Sequence, residues 1–506
     1  QNLPSYGSNA SKIDAFLNDR RDAMVFVSAG NEGSDDDNDL LNDLNTVSNP
    51  ASCKNCLSIG ATGAPNDLGT GTQDHNDRFF FSSVGPATTS YTSGAGCPGS
   101  AACDLVAGGG RIAPILMAPG GERGNMGLDS EFNCRSLDND QSNPVECDVV
   151  TGVAGTSFSS PAAAGAAVLV RDYFATGFYP SAAANVGDEQ PTISGALVKA
   201  ALIASADWVG NGNTPGTNNT YLYRANNEQG YGRIQLDNLL PLQTWARSPI
   251  GMIVADESGF GPNNTTLDAI ATNGSTDTTA FTVSDVTSEL RIALAWTEGN
   301  GEIAANNLDL ELEAPDGTTY YGNYFTEDWN RNGSLDAGED CAGFDGLTGT
   351  LDEFPWSLPV CGNSNRDIDN VSEAIMLSPD PDDNGDAEDG LSQIQAGEWT
   401  LRVIGTSVAG SQPYAVVISG GVAVTSSVRF TNGAPVCNDT VGLTVNETDE
   451  TDDPGASLTP AEIAARISVD VLVNDVVVDT EPGTAFAWSQ PEVLALRFIA
   501  EDVILS

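Results

Sequence analysis

Histidine is all but missing from this chain: His75 is the only one in 506 residues. Chemistry that needs an imidazole base therefore has one candidate within these residues. Lysine is nearly as scarce, with only Lys12, Lys54 and Lys199. Lys and Arg together number 20 against 70 Asp and Glu, a formal charge of −50. Such a surface repels polyanions, so nucleic acid and anionic membranes are excluded as partners. It reads first as a solvated acidic surface suited to salty surroundings. No apolar run reaches bilayer-spanning length, which excludes a transmembrane helix. Neither an initiating Met nor a signal-like stretch stands at Gln1, so the chain is expected to be processed or cut short.

What is present is enough for real cores: 40% of residues are hydrophobic, and 54 glycines imply many turns. The length implies two or three domains. Nine cysteines point to an oxidising compartment, hence a secreted protein. Neighbours in sequence suggest the pairs Cys97–Cys103, Cys134–Cys147 and Cys341–Cys361, leaving Cys437 over. Cys53-Lys54-Asn55-Cys56 is a C-x-x-C, readable as a redox or zinc half-site, a local disulfide or two thiols. No second pair or histidine partner accompanies it. Sequons at Asn218, Asn264, Asn273 and Asn370 would be surface glycans in a eukaryotic secretory setting.

The first half reads as α/β. A helical stretch at 11–20 precedes the apolar strand 24–27, which runs into Ser28-Ala29-Gly30-Asn31-Glu32-Gly33. Further apolar runs at 56–61, 79–86 and 115–120, ending in Gly or Pro, fit buried parallel strands. Gly155-Thr156-Ser157-Phe158-Ser159-Ser160-Pro161 then leads into a small-residue helical run at 162–173. Proline is tolerated in a helix's first turn, which predicts a helix start near Ser157. Its hydroxyl would be exposed beside free N–H groups and the positive dipole end. A serine ahead of a helix also reads as a plain N-cap. A second helix is expected at 192–205 and a closing one near 236–240. Beyond about 248 the texture becomes period-two. Leu290, Ile292, Leu294 and Trp296 share a face, as do Leu308, Leu310 and Leu312, then Trp399, Leu401 and Val403. This pattern predicts a β-sandwich or jelly roll over 249–422. Residues 423–506 form a partial β-rich module of unknown role.

Four blocks carry a resemblance: Ala29-Gly30-Asn31-Glu32-Gly33, Phe81-Ser82-Ser83-Val84-Gly85-Pro86, Ala118-Pro119-Gly120, and Gly155-Thr156-Ser157 with Pro161. In order and context they resemble the subtilisin-like serine proteases over residues 1–248. Leu294-Ala295-Trp296-Thr297, Asn307-Leu308-Asp309-Leu310 and Pro315-Asp316-Gly317-Thr318 look like the C-terminal β-barrel of one alkaline subgroup. The resemblance implies a three-layer α/β domain with a mostly parallel sheet, N-terminally incomplete. It also implies a monomer acting on protein or peptide substrates. It makes Ser157 the nucleophile and Asn31 the side-chain oxyanion donor. Ser28, Ala29 and Gly30 would floor the pocket for the residue before the scissile bond. Fixed donors at a developing oxyanion are what acyl transfer requires.

The departure is as plain. The family places an aspartate and a histidine ahead of the asparagine, in D-[ST]-G and H-G-T-H contexts, and neither precedes Asn31. His75, in Gln73-Asp74-His75-Asn76-Asp77, follows Asn31 and reads as a polar loop histidine. Without a base, Ser157 is an ordinary alcohol, and this chain alone is expected to be nearly inactive. Two explanations stand: the missing elements lie before Gln1, or the chain is a binding pseudoprotease.

A separate motif points to calcium. Asp328, Asn330, Asn332, Ser334, Asp336 and Glu339 occupy the ligand positions of an EF-hand loop, with Gly333 sixth and Leu335 eighth. A structural Ca2+ is expected there. The run at 380–385 begins similarly but has Leu391 where the glutamate belongs, and the acidic loop 34–39 reads equally as solvated surface.

Overall fold

The protein is described from a computed structural model. It describes residues 6–33, 45–63, 76–87, 110–121, 127–128, 149–150, 154–180, 182–209, 211–212, 224–242, 251–257, 269–270, 272–325, 355–360, 366–380 and 392–422, and the strands between 427 and 504.

In the first sheet β1 (Phe26–Ser28) and β4 (Leu116–Pro119) flank β2 (Leu57–Thr62), both parallel to it. β2 is buried along its whole length, as a strand covered on both faces must be. β3 (Asp77–Arg78) pairs antiparallel to its end, and β7 (Asn211–Gly212) continues the sheet beyond β3. β5 (Gly127–Leu128) and β6 (Val149–Val150) form a separate ladder. The expected strand at 79–86 is a turn. Only its start bonds β2, Phe79 N–H donating to Ala61 O at 2.8 Å; beyond that its backbone bonds the Gly30–Gly33 segment, Gly33 N–H donating to Phe81 O at 2.9 Å and Ser83 N–H to Gly30 O at 3.0 Å.

Helix α1 covers Ser8–Asp19. Helix α2, Thr156–Ala175, lies on β1, β2 and β4. It starts earlier than its small-residue run predicts. Pro161 is therefore inside the helix and not in its first turn, and it removes the N–H that would have bonded the Ser157 carbonyl. Helix α3, Gly195–Ala204, is buried at all 10 positions. Apart from Lys199 its residues are apolar or glycine, as suits a helix in an interior. Ser194 caps it, its Oγ accepting from Leu197 N at 2.8 Å. The closing helix near 236–240 is a single 3-10 turn, Leu236–Asn238.

The β region has two antiparallel sheets. One orders β10 (Thr276–Val283), β15 (Gly397–Ser407), β12 (Asn307–Glu313) and β13 (Thr319–Tyr321). The other orders β14 (Ser372–Leu377), β11 (Leu290–Trp296), β16 (Gln412–Gly420) and β8 (Gly251–Asp256), with β9 (Ala269–Ile270) also on β16. Ile292, Leu294, Trp296, Ile375, Val416 and Ile418 meet Leu308, Leu310, Trp399 and Leu401 in one core between the sheets. The opposite face of the second sheet carries Ala293, Ala295, Ala374, Ala415 and Val417, which join the core of α2 and α3. Side chains that alternate in direction explain both sets. The small residues leave room for α3, which packs directly on β11 and β16.

At the C-terminal end β17 (Ser427–Phe430), β18 (Thr440–Asn446), β22 (Arg497–Ile504) and β21 (Ala487–Ser489) form a sheet. A hairpin pairs β19 (Ser468–Val473) with β20 (Val476–Pro482).

Candidate active site

The carboxyl ends of β1, β2 and β4 converge on the N-terminus of α2, the edge where open parallel sheets place their sites. β1 continues through Ala29, whose N–H donates to Ile59 O at 2.9 Å. At Gly30 the chain turns out with φ +116°, a conformation that favours glycine. A Cβ there would lie 2.6 Å from Ser83 Oγ. From β4, Gly120 N–H donates to Thr62 O and Gly120 O accepts from Gly155 N, each at 2.9 Å. The Gly155–Ser157 turn is thereby tied to the sheet edge.

Gly155 takes the N-cap position, so Ser157 is the second residue of α2 and not its cap. Its side chain is exposed. Its N–H is among the four that a helix leaves open at its start, at the positive end of the helix dipole. Asn31 is exposed and faces the same turn. Its Oδ1 accepts from both Thr156 N and Thr156 Oγ1 at 2.9 Å. Thr156 is buried, and its Oγ1 also accepts from Gly30 N at 3.2 Å. A backbone N–H can only donate, so the amide oxygen of Asn31 must face Thr156 and the Nδ2 donor must point elsewhere. That Nδ2 is 3.6 Å from where a Cβ on Gly155 would stand. An amide donor and the start of α2 thus flank one small-residue turn. Beneath them Ala29 is buried, while Ser28 and Gly30 are half-buried.

The structure therefore brings Asn31, Ser157 and the Ser28–Gly30 segment together. His75 and the calcium-type residues Asp328, Asn330, Asn332, Ser334, Asp336 and Glu339 lie outside the described residues. So do the acidic loop 34–39 and Cys97, Cys103, Cys134, Cys147, Cys341, Cys361 and Cys437. Among the described residues no group of three or more His, Cys, Asp or Glu could hold a metal. Cys53 and Cys56 are joined as a local disulfide. Asn370 is no glycan site: it is buried, its Oδ1 accepts from Ile112 N at 2.9 Å and its Nδ2 donates to Asp367 Oδ2 at 2.8 Å. Sequence reasoning missed the clamp by Thr156, although Thr156 directly precedes the serine.

Residues 1–232 match the model of the subtilase family, Peptidase S8. That region, somewhat under half of the chain, is thus similar to the subtilases. A Dictyostelium discoideum protein named serine protease/ABC transporter B family protein tagA is 26% identical over 374 residues. The match takes in 62% of this chain and only 20% of that relative's length. A solved serine protease of Aeromonas sobria is 12% identical, with a TM-score of 0.26. It aligns with 82% of this chain and 69% of its own. The same bacterium's serine protease in complex with its chaperone is 14% identical, with a TM-score of 0.21 and coverage of 72% and 57%. Among the described residues, no helix is long and apolar enough to cross a membrane.

Proposed function

We propose that this chain carries the acyl-transfer half of a secreted, monomeric subtilisin-type endopeptidase that cleaves protein or peptide substrates. Ser157 is the nucleophile. The Asn31 Nδ2 and the Ser157 N–H are the donors to the oxyanion, and Ser28, Ala29 and Gly30 line the floor of the substrate pocket. Residues 1–248 form the protease domain and 249–422 a β-sandwich or jelly roll, with 423–506 a further β module. Calcium held by Asp328, Asn330, Asn332, Ser334, Asp336 and Glu339 is structural. The observation that carries the reading is the paired bond from Thr156 to Asn31 Oδ1, which turns the amide donor toward the serine turn.

The chemistry follows from these parts. Attack by Ser157 Oγ on a carbonyl carbon moves charge onto the carbonyl oxygen, and two fixed donors stabilise it. The proton leaving Ser157 needs a base, and the described residues include no histidine. Because residues 1–506 alone are expected to be nearly inactive, the test applies a fluorophosphonate probe and a peptidyl anilide substrate to the protein as isolated from its source. Labelling that Ser157→Ala abolishes, and a kcat that Asn31→Leu lowers by roughly a hundredfold or more, is the expected result. A folded chain that takes no label and binds peptide would favour the second reading, a non-catalytic binding protein. The scarcity of histidine is the observation behind that alternative.

A further inference from the structure

Asn31 is held from two sides, and the second does not involve Thr156. Gly30 O accepts from Ser83 N at 3.0 Å, and Glu32 N donates to Ser83 Oγ at 3.1 Å. One serine therefore bonds the backbone immediately before and immediately after Asn31. Ser83 is fully buried, and its Oγ fills the space that a Cβ on Gly30 would need. One residue further on, Gly33 N donates to Phe81 O at 2.9 Å. The neighbouring Ser82 is equally buried, but its Oγ accepts from Ala61 N on β2, away from the Asn31 turn. Two adjacent serines thus do separate things: Ser82 braces the sheet, and Ser83 braces the turn that presents Asn31.

We propose that Ser83 is a positioning residue for Asn31, fixing the backbone on which Thr156 then sets the amide. This rests on the reading of Asn31 as the oxyanion donor. Donors act in the transition state only where they are already in place, and a misplacement of about 1 Å is enough to cost a large rate factor. Ser83 touches no reacting atom, so its effect appears in kcat and not in KM.

Two readouts separate the positioning from the reading it rests on, an amide spectrum of this chain and turnover by the protein as isolated from its source. In protein carrying 15N in its asparagine side-chain amides, the Asn31 pair is assigned by its loss in Asn31→Asp. Ser83→Ala is expected to shift and broaden that pair and to speed its exchange with water about tenfold, while Ser82→Ala leaves it in place. An Asn31 pair unmoved by Ser83→Ala, or moved as far by Ser82→Ala, overturns the proposal without any need for turnover. With a peptidyl anilide, Ser83→Ala is expected to lower kcat about tenfold at unchanged KM, and Ser83→Thr to recover it. If Asn31→Ala leaves kcat intact, the oxyanion reading fails and the amide result stands. If Asn31→Ala lowers kcat and Ser83→Ala does not, the positioning role fails.

Discussion

Lys54 Nζ lies 2.5 Å from Glu298 Oε1, and neither side chain is more than 1% exposed. The pair joins the disulfide-closed Cys53–Cys56 loop to the turn that follows β11 in the β region. Glu298 also accepts from Ala305 N and Asn306 N at 2.8 Å each. Asn55 adds a bond from its Nδ2 to Glu298 O at 2.7 Å. Asp14 accepts from Lys54 N at 3.0 Å and Asn55 N at 2.8 Å, fixing the loop from the α1 side. Removing one partner of such a pair leaves a buried charge unmatched. Lys54→Met should therefore destabilise the chain by about 3–5 kcal/mol. Combining it with Glu298→Gln, which keeps an acceptor for the turn, should restore much of the loss. Urea unfolding of the single and double variants checks this, and a double variant no better than Lys54→Met alone would remove the coupling.

The second sheet was designed by its alternation to hold α3. Ala293 and Ala295 on β11 and Ala415 on β16 are fully buried and belong to the core of α3. Ala293→Leu pushes extra side-chain carbons into a filled seam, where overpacking costs about 1–3 kcal/mol. Leu202→Ala, removing buried bulk from α3, should cost about 2–5 kcal/mol. If either change leaves the urea midpoint unaltered, α3 does not pack as described.

How much of this was legible in the sequence follows from distance along the chain. Asn31 and Ser157 each stand in a short local pattern of glycines and small residues, and these patterns led directly to the convergence seen at the sheet edge. The inward faces of β11, β12 and β15 were equally readable, because alternation is local. The partner of Lys54 is 244 residues away, and no window on the sequence joins them. The alanines of β11 carried a usable signal: a strand small on one face and large on the other is covered on both. Pro161 misled because the helix begins at Thr156 and tolerates the proline inside it. The run at 79–86 misled because its apolar composition says nothing of which backbone it bonds.

Calcium dependence is the next expectation. The ligand spacing from Asp328 to Glu339 predicts an ion that stabilises the folded chain by mass action. Chelation should lower Tm by several degrees and added Ca2+ should restore it, whereas Glu339→Gln should weaken the response about tenfold or more in apparent affinity. A Tm indifferent to both chelator and Ca2+ would rule out the site.

Lys199 supplies a pH dependence. It is buried on α3, and its Nζ lies 3.5 Å from Lys54 O. Burial first, and then the nearby charge of Arg111, push its pKa down from 10.5 to about 7; Lys54 adds to this and Asp14 opposes it. Unfolding restores the ordinary value, so between about 7 and 10.5 the unfolded chain binds more protons at this position than the folded one. Stability contributed by Lys199 therefore rises with pH through that window, is fully present above 10.5 and is lost as pH falls through about 7. Lys199→Met should remove that slope and raise stability at pH 7, where the wild-type chain still buries a partly charged amine. Urea unfolding at pH 6.5, 8 and 9.5 reads both effects. A slope that survives the substitution would assign the dependence to other groups.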